Sequence, residues 1–133
     1  MSHLSNEIFW LVLTLLMTGS LWVPYILNRM YEHGIWPALY NPQPDTRPKA
    51  QWANRMMKAH ENGIENMVIF APLVLIIEML DRNSSMTATL CSVYFFTRLL
   101  HAVLYAVKVP FFRTVAFLVG FACQVALGVV ILQ

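Results

Sequence analysis

The run from Ile8 to Leu27 holds twenty residues and no charge. A helix of that length reaches about 30 Å, the thickness of a bilayer's hydrocarbon layer. Three more apolar segments follow it, and together they leave the chain few options. In lipid, every backbone N–H and C=O must be bonded within its own segment, which an α-helix achieves. The spacing predicts an all-α integral membrane protein, a four-helix transmembrane bundle in one domain over 1–133. Its spans lie at about 8–29, 52–80, 86–107 and 111–132. Composition agrees, with 58% hydrophobic and 12% charged residues and a mean hydropathy of +0.56, against about 25% charged in soluble domains. Only His3 and Glu7 precede the first run as titratable groups, and no small-x-small cleavage site follows it. It therefore reads as a retained span rather than a signal peptide, with Pro24 kinking it or marking its exit.

The connections differ. Asp81-Arg82-Asn83-Ser84-Ser85 is a tight turn, so spans two and three are expected to be antiparallel neighbours. Lys108-Val109-Pro110 is shorter still, and Pro110 suits a first helical position. The loop at 31–51 carries Pro37, Pro42, Pro44 and Pro48 and cannot form one continuous helix. It is expected to lie across the membrane surface with Trp36, Tyr40 and Trp52 at headgroup level. Arg29, Arg47, Lys49, Arg55, Lys58, Lys108 and Arg113 fall on the side of this loop, and Arg98 in the same half; Arg82 falls opposite. That bias places the loop in the cytoplasm and both termini on the non-cytoplasmic side.

Few polar residues interrupt the apolar segments, and they fall on faces. In span two, Arg55, Lys58, Asn62 and Glu65 follow at steps of three, four and three, one side of a helix. In span three, Arg98, His101 and Tyr105 do the same at steps of three and four. Arg113 and Thr114 open span four, and Asn28 with Arg29 closes span one. Glu65 stands just before the uncharged run Met67 to Ile77. A charged side chain at the centre of a membrane helix costs about 2.5–3.5 kcal/mol on insertion scales, so such residues face the bundle interior and mark sites. Together these groups predict a mostly cationic pocket in the cytoplasmic half, with Glu65 pairing to Lys58, Asn62, Arg98 or His101. Such a pocket suits an anionic ligand, and a peptide with two carboxylates and one amine fits it. If the peptide carries a thiol, an arginine aimed at sulfur raises the thiolate fraction.

Plainer roles are expected elsewhere. Cys91 and Cys123 lie in apolar runs and form neither metal-ligand spacing nor a disulfide framework, so no metal is expected. Glu78 is four residues from Arg82, a surface ion pair by spacing. Gln124 with Gly120 and Gly128 suits a close helix contact. No basic stripe with interleaved aromatics suggests nucleic acid.

At these residues the chain resembles a known family, the membrane-associated proteins in eicosanoid and glutathione metabolism (MAPEG), over nearly its whole length. Lys58-Ala59-His60-Glu61-Asn62-Gly63-Ile64-Glu65 looks like that family's second-helix signature. Arg98 to Tyr105, followed by Arg113-Thr114, is similar to the pattern of its microsomal glutathione transferase and prostaglandin E synthase branches. The resemblance implies a homotrimer with glutathione bound as co-substrate between subunits, and a hydrophobic small-molecule substrate entering from membrane lipid. Asn62 and Glu65 would hold the peptide, with Arg29, Lys58, Arg98, His101 and Tyr105 completing the pocket. Arg113 and Thr114 would stabilise the thiolate. Three residues depart from the pattern: Lys58 replaces an arginine, Glu61 stands where some members are basic, and Phe117 where several carry tyrosine.

The function implied is a glutathione-dependent transferase or peroxidase for lipophilic electrophiles. One alternative is a non-catalytic lipid- or glutathione-binding protein of the same fold. A small four-span transporter with Glu65 as its coupling carboxylate is disfavoured by the charge-free first span. Short termini and minimal loops suit a bacterial inner membrane.

Overall fold

The computed structural model describes residues 3–40 and 48–133, and Pro42, Pro44 and Arg47 of the expected loop lie outside them. In chain order the helices are α1 (Asn6–Ser20), α2 (Trp22–His33), α3 (Ile35–Tyr40), α4 (Gln51–Met79), α5 (Ser85–Ala106) and α6 (Pro110–Leu132). No strand is present among the described residues. Among the described residues, four helical stretches are long and apolar enough to cross a membrane: Asn6–His33, Gln51–Met79, Ser85–Ala106 and Pro110–Leu132. The chain is a multi-pass membrane protein with an all-α bundle fold.

Local chemistry explains the boundaries. Pro24 has no N–H to offer the Ser20 carbonyl, and the helix breaks at Leu21, whose N–H turns back to Thr18 O at 3.3 Å. Pro24 therefore kinks the first span rather than ending it, and α2 runs on to His33, inside the segment expected as loop. Gly34 ends α2 at φ 88°, a left-handed value open to glycine. In α5, Ser84 and Thr87 form a reciprocal capping box. Pro110 opens α6 at its first turn. In α4, Pro72 leaves the Val68 carbonyl without its i+4 donor, yet the helix continues to Met79.

α5 packs against α1, α4 and α6, and α4 against α1, α2 and α6. The core joins Leu11, Phe70, Val74, Ile77, Tyr94 and Leu127 with the free cysteines Cys91 and Cys123. Phe70 and Tyr94 stack with ring centroids 3.8 Å apart. A smaller cluster of Leu21, Ala59 and Ala102 closes the other half. Leu16, Val68, Phe96 and Leu118 point outward and are exposed, as expected where lipid is the solvent.

The end bearing the α4–α5 turn is bolted by side chains. Glu7, only 2% exposed, accepts from Thr87 Oγ1 and from the Ser84 N–H. Glu78 accepts from Ser5 Oγ at 2.7 Å and from Asn83 Nδ2 at 2.8 Å. Arg82 reaches the Val130 carbonyl at 3.2 Å instead. The expected Glu78–Arg82 ion pair is thus replaced: neutral donors saturate the carboxylate, and Arg82 closes the C-terminal end of α6, where cations are favoured.

Candidate functional site

Five of the polar residues singled out by spacing converge near the α5–α6 turn. Asn62 from α4, His101 and Tyr105 from α5, and Arg113 and Thr114 from α6 line one cleft, with Phe117 as its apolar wall. The cleft is open on one side and holds about 170 Å³, and no carboxylate among the described residues lines it. Helix periodicity explains the gathering. His101 and Tyr105 lie one turn apart on α5, and the short turn reverses the chain so that the first turn of α6 faces them. The Arg113 guanidinium sits over the Tyr105 ring, 4.3 Å from its centroid, a cation–π contact that holds the charge at the cleft. The His101 ring packs edge-on to Tyr105 at 5.7 Å and lies 6.1 Å from Phe117.

Arg98 lies one turn deeper and is 4% exposed. Its Nη2 donates to Asn62 Oδ1 at 2.6 Å. Arg98 Nη1 and His101 Nδ1 are enclosed and have no partner among the described residues. A buried polar atom without a partner costs about 1–3 kcal/mol, and two of them one turn apart mark bonding capacity held for something else. The Thr114 hydroxyl, by contrast, is engaged: it donates to the Pro110 carbonyl at 3.0 Å. Its proton is spent on the backbone, and among the described residues lining the cleft Arg113 carries the cationic group.

The structure does not bring the remaining predicted residues to this cleft. Glu65 is exposed and has neither a hydrogen bond nor an ion pair among the described residues. Three residues past Asn62 it is turned by about 60° around α4, and the guanidinium of Arg98 goes to Asn62 instead. Lys58 is likewise exposed. Arg29 lines a separate small cavity with Tyr25, Glu32, His33 and Met57, between α2 and α4. Arg55 closes the C-terminus of α5, its Nε donating to Ala106 O at 2.9 Å.

Several polar contacts escaped the sequence reading. Asn66 Nδ2 donates to Asn62 O at 2.9 Å and to its Oδ1 at 3.3 Å. Gln124 Nε2 donates to Asn66 O at 3.2 Å and to Tyr94 Oη at 3.3 Å. The spacing of Gln124 with Gly120 had suggested only a close helix contact. That contact exists at Gly120, where a Cβ would meet Arg98 Cδ and Thr97 Oγ1 at 3.6 Å, but not at Gly128, where a Cβ would meet nothing within 4 Å among the described residues. On the other side of α4, Tyr25 Oη hydrogen-bonds His60 Nδ1 at 2.7 Å, and Glu32 accepts from the Lys49 and Ala50 N–H groups at 3.1 and 3.0 Å. Glu32 thereby caps α4, whose own N-cap Ala50 offers no side chain.

The model of one protein family, the MAPEG family, matches residues 8–133. No curated protein and no solved structure matches the chain. The chain belongs to the MAPEG family.

Proposed function

We propose that this MAPEG protein is a glutathione-dependent membrane transferase or peroxidase that acts on lipophilic electrophiles through a bound glutathione thiolate. What supports the reading most is one arrangement: Arg113, Asn62, His101 and Tyr105 around a cleft that no carboxylate among the described residues lines, on a chain whose family is tied to glutathione. Cations and donors in a partly dry cleft bind an anionic peptide strongly. Arg113, held over Tyr105, would favour the thiolate over the thiol. In the transferase reaction the sulfur lone pair attacks an electrophilic carbon, and the leaving group departs with its bonding electrons. In the peroxidase reaction the thiolate attacks the distal oxygen of a hydroperoxide and the O–O bond breaks. The alkoxide takes a proton to become an alcohol, and a second glutathione converts the sulfenic acid to a disulfide with release of water.

The protein would act as a homotrimer in a bacterial inner membrane, with the long loop in the cytoplasm. Support for the assembly comes from Glu65, an exposed carboxylate in an apolar helix. Beside it lies an apolar groove between α1 and α4, lined by Leu15, Gly19, Ile64 and Val68 among others. Lipid does not cover a charge at that depth without cost; a neighbouring copy that meets Glu65, Lys58 and Arg29 would both cover it and add those groups to the ligand site. A second reading, non-catalytic binding of lipid or glutathione, is favoured by Phe117, which gives the cleft an apolar wall where a hydroxyl would help a thiolate.

The test is turnover by detergent-purified protein with glutathione and either a chlorodinitroarene or a lipid hydroperoxide. The proposal expects glutathione-dependent product with at least one of them. Saturable glutathione binding without product from either establishes the second reading, and the absence of both binding and turnover overturns the glutathione reading.

A further inference from the structure

Asn62 carries an amide that can present either an oxygen or an N–H₂ group to the cleft. Its partner decides which. A guanidinium has donors only, so the 2.6 Å contact from Arg98 Nη2 must be made to the amide oxygen. Asn66 Nδ2 adds a second donor to the same oxygen at 3.3 Å. The same Asn66 Nδ2 also donates to the Asn62 backbone carbonyl at 2.9 Å, which holds it beside that oxygen. Arg98 cannot swing away, since it is 4% exposed with Gly120 against its side chain. The Asn62 amide nitrogen has no partner among the described residues, on a residue that lines the cleft.

We propose that Arg98 is a positioning residue that fixes the polarity of Asn62, so that the cleft reads a hydrogen-bond acceptor, a ligand carboxylate or carbonyl, at this point and discriminates against a donor. The inference rests on the functional reading above and sharpens its ligand. One acidic group of the peptide meets Asn62, and the ammonium is read elsewhere.

Asn62→Asp is the diagnostic variant. It keeps an oxygen for Arg98, so the fold is retained, but turns the free donor into an acceptor. Affinities are measured for glutathione and for its two mono-amides, each with one carboxylate replaced by a carboxamide. The wild type is expected to prefer glutathione to at least one mono-amide by about ten- to hundredfold, the range of a hydrogen bond to a charged group. Asn62→Asp is expected to reverse that preference. Arg98→Lys, again donor-only, should keep the wild-type order, whereas Arg98→Gln should flatten it. If the wild type binds no glutathione, the functional reading fails, and the polarity claim is judged on oleate against oleamide, with the same reversal expected. An Asn62→Asp protein that folds but reverses neither pair overturns the inference.

Discussion

The two ends of the bundle spend their polar groups differently. At the α4–α5 end, Glu7 and Glu78 are saturated by Thr87, Ser84, Ser5 and Asn83. At the α5–α6 end, Arg98 Nη1 and His101 Nδ1 are enclosed without partners, and Glu65 stands exposed and unpaired among the described residues. Both ends hold buried titratable side chains in an apolar bundle. One closes on itself; the other keeps polar groups without partners among the described residues. In a membrane helix, burial of a charge alone therefore does not identify a site. Unspent donors do.

Substitutions at each end separate these roles. The largest effect is expected at Arg113. Arg113→Ala should lower glutathione-dependent turnover by about a hundredfold or more, the usual result of removing a preorganised charge that faces a developing anion, with little change in thermal stability. Steady-state rates and thermal melts of the same detergent preparation check both halves. At the opposite end, Glu7→Ala removes a buried carboxylate that accepts two hydrogen bonds and should cost about 2–3 kcal/mol of stability while leaving glutathione affinity unchanged. A loss of affinity with no loss of stability would erase the contrast between the ends. Phe117→Tyr brings a hydroxyl to the cleft wall and should raise thiolate-dependent turnover by several-fold, about 1 kcal/mol of transition-state stabilisation; no gain would mean that the ring lies outside the reacting geometry. The smallest change is expected for Tyr25→Phe, which removes the bond to His60 and should cost about 1 kcal/mol of stability without altering turnover.

Much of this was legible in the sequence, for definite reasons. Long apolar runs give helices because lipid allows little else, and the family model agrees with the resemblance carried by Lys58 to Glu65 and by Arg98 to Tyr105. Steps of three and four placed His101 and Tyr105 on one side of α5, and the short turn set Arg113 opposite them. Periodicity reports which residues share a face, not which way a side chain turns. Hence Glu65, on the same broad stripe as Asn62, misses the cleft by its rotation around α4, and Arg98 chooses Asn62. Contacts between distant segments left no local signal. Glu7 and Thr87 are eighty residues apart and Tyr25 and His60 thirty-five, so their bonds exist only once the helices have packed. The loop's proline count hid the helical end of α2, because the first of those prolines, Pro37, lies beyond Gly34, where α2 stops.

The central claim is that the open end binds glutathione as a thiolate held by Arg113. The ultraviolet difference spectrum on adding glutathione at neutral pH tests it most directly. A saturable thiolate band in the wild type and in Glu7→Gln, absent in Arg113→Ala, is the predicted result. No band in the wild type, or an undiminished band in Arg113→Ala, contradicts the account.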